Sequence, residues 1–179
     1  MLGLPPVAGN DILIPYEWVI AAINADLIPL DDDPEVAGID VGAGGDPTIY
    51  LRLRGPKVFP IESNNSAHSL VVKDWLMGKL FKYEPKTAMI DNIGIGWGVT
   101  GELQKEFRNS ATSVVGVNVG IRADDGKFFQ IRDKLAWRVR ERFEMGNITI
   151  PDDPLLIGEC TTMKYTDVHM GRLTKVESK

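Results

Sequence analysis

Two short apolar runs in this chain each end in an aspartate and lead directly into a glycine-rich turn. The first lies in GIDVGAGGD and places Asp40 between Ile39 and Val41. The second, TAMID, ends at Asp91 and is followed by NIGIGWGV. A carboxylate is costly to bury beside apolar side chains unless it is hydrogen-bonded, ion-paired or metal-bound. Two such carboxylates at the ends of two strands predict a metal site.

The composition is that of an ordinary globular chain. It has 179 residues, of which 44% are hydrophobic and 25% charged, and this predicts one compact domain with a single core. No run approaches the roughly 20 apolar residues of a membrane helix, and the N-terminus has no signal-peptide pattern. We therefore expect a cytosolic protein.

The side chains that bind soft metals are scarce. The chain has one cysteine, Cys160, and two histidines, His68 and His169. This excludes an internal disulfide and a structural zinc site built from Cys and His side chains. Any metal must be held mainly by oxygen atoms.

The charge is acidic and unevenly distributed. The net charge is −5, and the stretch before Arg52 carries nine acids, among them Asp31, Asp32 and Asp33, but no base. Affinity for nucleic acid comes mainly from Lys and Arg contacts to phosphates, so an autonomous, tight DNA-binding module is disfavoured. A nuclease is not excluded, because its carboxylates attract DNA once metal fills them.

The first half of the chain predicts a helix and then an antiparallel meander. Pro15 suits the start of a helix because its missing N–H costs nothing there. The inner face of this helix would be formed by Trp18, Val19, Ala22 and Ile23. Three strand-like runs follow, separated by glycine turns: VAGIDV, TIYLRLR and KVFPIES. In the second run, alternation predicts that Ile49, Leu51 and Leu53 point inward and that Tyr50, Arg52 and Arg54 point outward.

The second half alternates helices and strands. Residues 66–83 predict an amphipathic helix, followed by the strand TAMID, a helix around Leu103, the strand SVVGVNV and a long helix over residues 132–145. The inward side chains of the first helix would be Leu70, Val71, Trp75, Leu76 and Leu80. The pattern implies an α/β fold, with an antiparallel meander and parallel strands in one mixed β-sheet and helices on both faces.

The long helix carries two rows of side chains at four-residue steps. The apolar row, which predicts a core-facing side, is Ile131, Leu135, Val139 and Phe143; the basic row is Lys134, Arg138 and Arg142. The basic row is a candidate for contact with a DNA backbone. Rows of this kind are more often solvated, and here Asp133 and Glu141 are interspersed.

Five segments of the chain occur in a distinctive order: GIDVGAGGD, AMIDNIGIGWGV, VVGVNVG, FFQIRDKLAWRVRERFEMGNITIPDDPLL and KYTDVHMGRLTKVESK. In this order they resemble the nuclease domain of the large terminase subunit of tailed bacteriophages. The opening DILIPYEWVIAA resembles the segment that joins the terminase ATPase to its nuclease. The resemblance implies a linker segment with a short helix in residues 1–35 and an RNase H-like nuclease domain in residues 36–179.

The resemblance implies a metal-dependent DNA endonuclease of a viral packaging motor, which cuts concatemeric double-stranded DNA. The implied chemistry is two-metal phosphodiester hydrolysis with Mg²⁺ or Mn²⁺, bridged by Asp40 and held by Asp91. Asp46 would be a further ligand, or merely the start of the turn at Pro47. The implied partners are double-stranded DNA, the terminase ATPase domain, the portal and the small terminase subunit, in the bacterial host cytoplasm and with no membrane.

The family pattern also includes a third acid, after the strand that LTKVESK represents and before a final helix. The sequence ends at Lys179, so we expect the domain to be truncated before that helix and the metal site to be incomplete. Asp167 and His169 lie in a predicted hairpin connection and are weak substitutes.

Other interpretations remain open. Asp40 could cap the amides of the turn that follows it. The glycines at 96, 98 and 101 match the dinucleotide-binding pattern, but the acid expected about twenty residues later is absent, with Asn118 in its region. Each glycine could also be part of a merely permissive loop.

Two further functions also remain open. GIDVGAGG resembles the first phosphate loop of sugar kinases and actin-like proteins, although the chain is too short for their second half. The acidic N-terminal third suits a non-catalytic docking module of the packaging motor.

Trp97, in the second glycine loop, is predicted to be partly exposed.

Overall fold

A computed structural model describes residues 11–42, 45–94, 96–168 and 173–177. Within these ranges, none of the helices has both the length and the apolar character needed to cross a membrane. The elements in chain order are α1 Tyr16–Ile23, β1 Glu35–Asp40, β2 Thr48–Arg54, β3 Lys57–Val58, β4 Glu62–Asn64, α2 Ser69–Tyr83, β5 Thr87–Asp91, α3 Gly96–Glu106, β6 Ser113–Val117, α4 Ile131–Glu144, α5 Pro154–Thr162, β7 Tyr165–Val168 and β8 Leu173–Val176.

The chain forms two compact units. One unit is Leu27–Val119, which contains the large sheet, and the other combines Met1–Asp26 with Gly120–Lys179. The boundary predicted between residues 35 and 36 rests on composition and on the family resemblance, and it stays a prediction.

The large sheet is mixed, as predicted. β1 pairs antiparallel with β2 and parallel with β5, and β5 pairs parallel with β6. β3 and β4 both pair antiparallel with β2. The run KVFPIES therefore forms two short strands instead of one, and the break contains Pro60, which has no N–H to donate to a sheet ladder.

Helices α2 and α3 pack on one face of this sheet. The strands contribute Ala37, Ile39, Tyr50, Ala88 and Ile90 to the shared core. The remaining members are Val72, Leu76 and Leu80 of α2, Val99 and Leu103 of α3, and Phe107 directly after α3. In α2 the buried residues are spaced by four, which is one helical turn. Leu76 and Leu80 are inward as predicted, but Leu70 and Val71 are exposed and Val72 takes the inward position. The helix begins at Ser69, three residues later than predicted.

The predicted orientation of β2 was reversed. By alternation, the partly buried Ile49, Leu51 and Leu53 face away from the core that contains Tyr50. Its side chain is fully buried, with its ring stacked on Tyr83 at 6.1 Å between centroids and edge-on to Trp75 at 6.3 Å. Arg52, two residues along the same strand, places its guanidinium 3.6 Å from the Tyr83 ring centroid and binds Glu35 at 3.2 Å. Tyrosine and arginine have both an apolar body and a polar end, so an alternating pattern cannot tell which face they occupy.

The other unit contains α1, α4, α5 and the hairpin of β7 and β8. Helix α1 starts directly after Pro15, as predicted, and β7 and β8 pair antiparallel. The predicted core row of α4 was wrong in its middle, because Leu135 and Val139 are exposed while Phe143 is buried.

Asp133 ties the start of α4 to β8. Its carboxylate accepts the backbone N–H of Gln130 at 2.8 Å and that of Val176 at 3.0 Å, and the side chain is completely buried. The sequence pattern predicted a solvated position for Asp133, and this prediction was wrong. A buried carboxylate is tolerated here because backbone donors satisfy both of its oxygens.

We expect Asp133→Ala to lower the free energy of unfolding by about 3 kcal/mol, because it leaves two N–H groups without their acceptor. Urea unfolding measures this change. Asp124→Ala is the matched control, since Asp124 is an exposed carboxylate paired with Lys134, and it should have little effect. Equal midpoints for the two variants would contradict the role assigned to Asp133.

Candidate metal centre

Asp40 and Asp91 end two neighbouring parallel strands. The register pairs Ile39 of β1 with Ile90 of β5, so the two aspartates that follow are neighbours at the carboxyl edge of the sheet. Since Ile39 and Ile90 point into the core, alternation directs both aspartates to the opposite face of the sheet. The structure therefore brings together the two acids that the sequence singled out.

The charges at this edge interact. The pKa of Asp40 is raised above 3.8, first because the surrounding protein removes water from its carboxylate and then because of the negative charges of Asp91 and Asp46. Each cause disfavours a negative charge on Asp40. A cation bound between these groups would offset both the loss of water around Asp40 and the repulsion from the neighbouring carboxylates.

Asp46 reaches the same edge because the turn after β1 folds back tightly. The N–H of Gly42 donates to Oγ1 of the buried Thr48 at 3.1 Å. A Cβ on Gly42 would lie 2.0 Å from the backbone oxygen of Asp46, so a side chain at residue 42 would force the turn open. Residues 43 and 44 of this turn lie outside the described residues.

The loop after β5 fixes Asp91 by two contacts. Its Oδ1 accepts the N–H of Ile93 at 3.2 Å, which is a local turn that aspartate favours. A Cβ on Gly96 would lie 2.0 Å from the backbone oxygen of Asp91, so helix α3 can begin this close to β5 only with glycine at position 96. Added Cβ atoms on Gly98 and Gly101 would meet nothing within 4 Å. Only the first glycine of the dinucleotide-like pattern is therefore required by close approach.

Asn92 is a polar residue at this edge that sequence reasoning missed. Its Oδ1 is buried and has no hydrogen-bond partner among the described residues. The amide lies against Gly116 of β6, whose added Cβ would be 3.2 Å from the Asn92 side chain. An uncharged amide beside two acids gives no charge signal, and only its position directly after Asp91 could have pointed to it.

A complete set of metal ligands is not found in the part of the chain that the structure describes. No group of three or more His, Cys, Asp or Glu side chains is placed there to hold an ion. Asp167 lies in β7 of the other unit and accepts a hydrogen bond from Thr174 Oγ1, while His169 lies outside the described residues. The adjacent carboxylates of Asp40 and Asp91 nevertheless fit a hard divalent cation, which prefers oxygen ligands.

The basic row of α4 is engaged in local contacts. Lys134 Nζ binds Asp124 at 2.9 Å and Asp125 at 3.2 Å, and Arg138 binds Glu141 at 2.7 Å. Arg142 donates to the backbone oxygen of Asn147 at 3.2 Å. A DNA phosphate would have to compete with these acceptors, and the DNA-binding role of Lys134, Arg138 and Arg142 stays a prediction.

No protein-family model and no curated protein matches the sequence. Among solved structures, the nuclease domain of the large terminase subunit gp2 of bacterial virus Sf6 is similar, with a TM-score of 0.80 at 14% identity over 94% of this chain and 88% of that chain. The large terminase nuclease of thermophilic phage G20c matches with a TM-score of 0.68 at 15% identity over 96% of this chain and 90% of that chain. This chain has the fold of a phage large-terminase nuclease domain. The fold class that the sequence resemblance implied is confirmed.

The two terminase nucleases have been solved with several divalent ions. The Sf6 domain has structures with manganese and with calcium, and the G20c domain has structures with magnesium, cobalt and zinc. At 13–16% identity, the terminase nuclease fold is what these similarities establish for this chain.

Gly96→Ala tests how tightly α3 must approach Asp91 in this terminase nuclease fold. We expect a loss of about 2 kcal/mol in unfolding free energy from the forced contact, together with weaker Mn²⁺ binding in calorimetric titration because Asp91 is displaced. Gly101→Ala, in the same helix but in open space, is the control and should be neutral or slightly stabilising. Unchanged Mn²⁺ affinity in Gly96→Ala would contradict this account.

The raised pKa of Asp40 predicts a pH dependence of the metal-free protein. Between pH 3.8 and the higher pKa of the folded state, the folded protein retains a proton that the unfolded chain loses, so stability falls as the pH rises through this window. In EDTA at neutral pH, Asp40→Asn should therefore melt at a higher temperature than wild type. The difference should shrink as the pH is lowered toward 3.8.

Melting temperatures recorded across this pH range test the prediction. Asp74→Asn removes a largely exposed carboxylate on α2 and should follow the wild-type curve. Parallel curves for wild type and Asp40→Asn would contradict the repulsion at the sheet edge.

Proposed function

We propose that this chain is a metal-dependent DNA endonuclease that cuts concatemeric double-stranded DNA in a phage packaging motor. The observation that carries the proposal is the adjacency of Asp40 and Asp91 on parallel strands, with Asp46 close enough to act on the pKa of Asp40. This acidic edge lies within the fold that the Sf6 and G20c terminase nucleases have. Clustered carboxylates that repel one another are the kind of site that divalent cations fill.

We assign Asp40 and Asp91 as the ligands of Mg²⁺ or Mn²⁺. Asp46 would have to move closer to become an additional oxygen donor, because no three acids among the described residues are placed together to hold an ion. Two ions held in this way would supply the Lewis acidity that activates an attacking water and neutralises charge on the leaving 3′ oxygen. The protein's own part is positioning. The parallel register sets the two carboxylates side by side, and the Ile93 N–H holds one oxygen of Asp91.

The third acid implied by the family resemblance stays part of the proposal. We also propose that the protein acts in the host cytoplasm, with the terminase ATPase domain, the portal and the small terminase subunit as partners.

A docking function is a second candidate, and the segment before β1 favours it. Arg54 donates to the backbone oxygens of Leu30, Asp31 and Asp33 at 2.9–3.2 Å, which holds this acidic turn in one conformation. Ile28 and Leu30 are 78% and 67% exposed. A fixed turn with apolar and acidic side chains loses little entropy on binding, so it suits a partner surface with an apolar pocket and a basic rim.

Plasmid cleavage with Mn²⁺ tests the nuclease proposal. Asp40→Ala and Asp91→Ala should each lower the rate by more than about a hundredfold, since even residues that only support metal ligands cost about 10–100-fold. Asp46→Ala should lower it less. EDTA should abolish cutting by the wild type, and Asp167→Ala, a carboxylate on the hairpin, should cut like the wild type.

Wild-type rates in both Asp40→Ala and Asp91→Ala would refute the assignment. If the wild type binds no Mn²⁺ and does not cut, but binds the purified ATPase domain, the docking function replaces the nuclease.

A further inference from the structure

Trp97 is unusually exposed for a tryptophan. It lies in the first turn of α3 with 73% of its surface accessible. The other three tryptophans are each packed against a neighbour: Trp75 against Tyr50, Trp137 against Tyr165, and Trp18 against Arg140. A large aromatic side chain left in water near a candidate site is available for contact with a substrate.

The backbone contacts place the turn that carries Trp97 against the carboxyl ends of β1 and β5, on the side of the sheet where α3 packs. Gly96, the preceding residue, abuts the backbone oxygen of Asp91, and its added Cβ would also lie 4.0 Å from Val41, the residue after Asp40. The indole is therefore carried on a turn that touches the ends of both carboxylate-bearing strands.

Two grooves flank this turn. One, of about 500 Å³, is lined by Asn92, Gln104 and Lys105 as well as by Trp97. The other, of about 490 Å³, is lined by Leu70, Lys73 and Gly94. Gly98 and Glu102 line both grooves, and the helix backbone is accessible at Gly98.

The chemistry of these grooves fits nucleic acid. Each contains a lysine, which suits phosphate, and glycines that let a sugar–phosphate backbone approach closely. Glu102 lines both grooves and binds Lys105 at 3.1 Å, so a phosphate has to replace this carboxylate as the partner of Lys105. Protein interfaces instead have an apolar centre depleted in charge, whereas the groove that Trp97 lines is otherwise formed by polar residues and glycines.

We propose that Trp97 holds duplex DNA beside the carboxylates, with its indole against deoxyribose or base surfaces and with Lys73 and Lys105 on the phosphates to either side. The inference rests on the proposed nuclease function, since that function requires a duplex to lie across Asp40 and Asp91. Aromatic contacts of this kind tolerate any sequence because every nucleotide offers an apolar face. Trp97 is thus a positioning residue for the substrate.

The experiment compares Trp97→Ala with Trp97→Phe and with Leu155→Ala. Leu155, on α5, is 81% exposed, so its variant removes a similarly accessible apolar side chain in the other unit. Affinity for a fluorescein-labelled duplex in Ca²⁺ should fall about tenfold in Trp97→Ala. It should stay near the wild-type value in the other two variants, because phenylalanine retains the aromatic face.

A second measurement compares two reactions with Mn²⁺, cleavage of the duplex and hydrolysis of bis(p-nitrophenyl) phosphate. The ratio of the first rate to the second should fall about tenfold in Trp97→Ala, because the small ester is too short to need the grooves. A third measurement follows quenching of tryptophan fluorescence by acrylamide. The duplex should protect wild type from quenching and should leave Trp97→Phe unaffected.

Wild-type DNA affinity in Trp97→Ala would overturn the proposal. This is the result expected if Trp97 docks a protein instead of DNA. Equal losses on the duplex and on the small ester would also overturn it, since Trp97 would then act on the metal centre itself. If the wild type hydrolyses neither substrate, the proposed nuclease function fails by itself. DNA affinity and acrylamide protection still decide whether Trp97 contacts DNA.

Discussion

The parallel pairing of β1 with β5 is the constraint on which the rest of the site depends. It places Asp40 and Asp91 at one edge of the sheet, and the charges of Asp91 and Asp46 raise the pKa of Asp40. Like charges held together lower the stability of a fold, and such local instability is typical of functional sites. The fold tolerates it because the core beneath, from Ile39 and Ile90 to the two helices, is closely packed.

Backbone contact, more than side-chain contact, shapes the surroundings of the two carboxylates. Gly42 lets the first turn fold back onto Asp46, and Gly96 lets α3 start against Asp91. Both turns therefore stay close to the sheet edge. Trp97, directly after Gly96, is exposed and adds a large aromatic surface there.

Local sequence patterns predicted most elements but not all of their orientations. The helix after Pro15, the meander, the strand TAMID and the final hairpin follow from periodicity and turn residues. Periodicity failed for Tyr50, whose long amphipathic side chain fits either face, and for Asp133, which is buried because backbone N–H groups from Gln130 and Val176 converge on it. Contacts of this kind join residues far apart in the chain and leave no trace in a local pattern.

The sequence by itself determined the order of most elements, the mainly oxygen chemistry of any metal site and the acids that are candidates for it. These properties are local, because strand alternation, glycine turns and the scarcity of Cys and His can be read over a few residues. Only the tertiary structure decided that Asp40 and Asp91 meet, that Gly96 is the indispensable glycine of its loop and that Trp97 stands beside them. The register between strands some fifty residues apart follows from how the whole core packs, and a local pattern does not encode it.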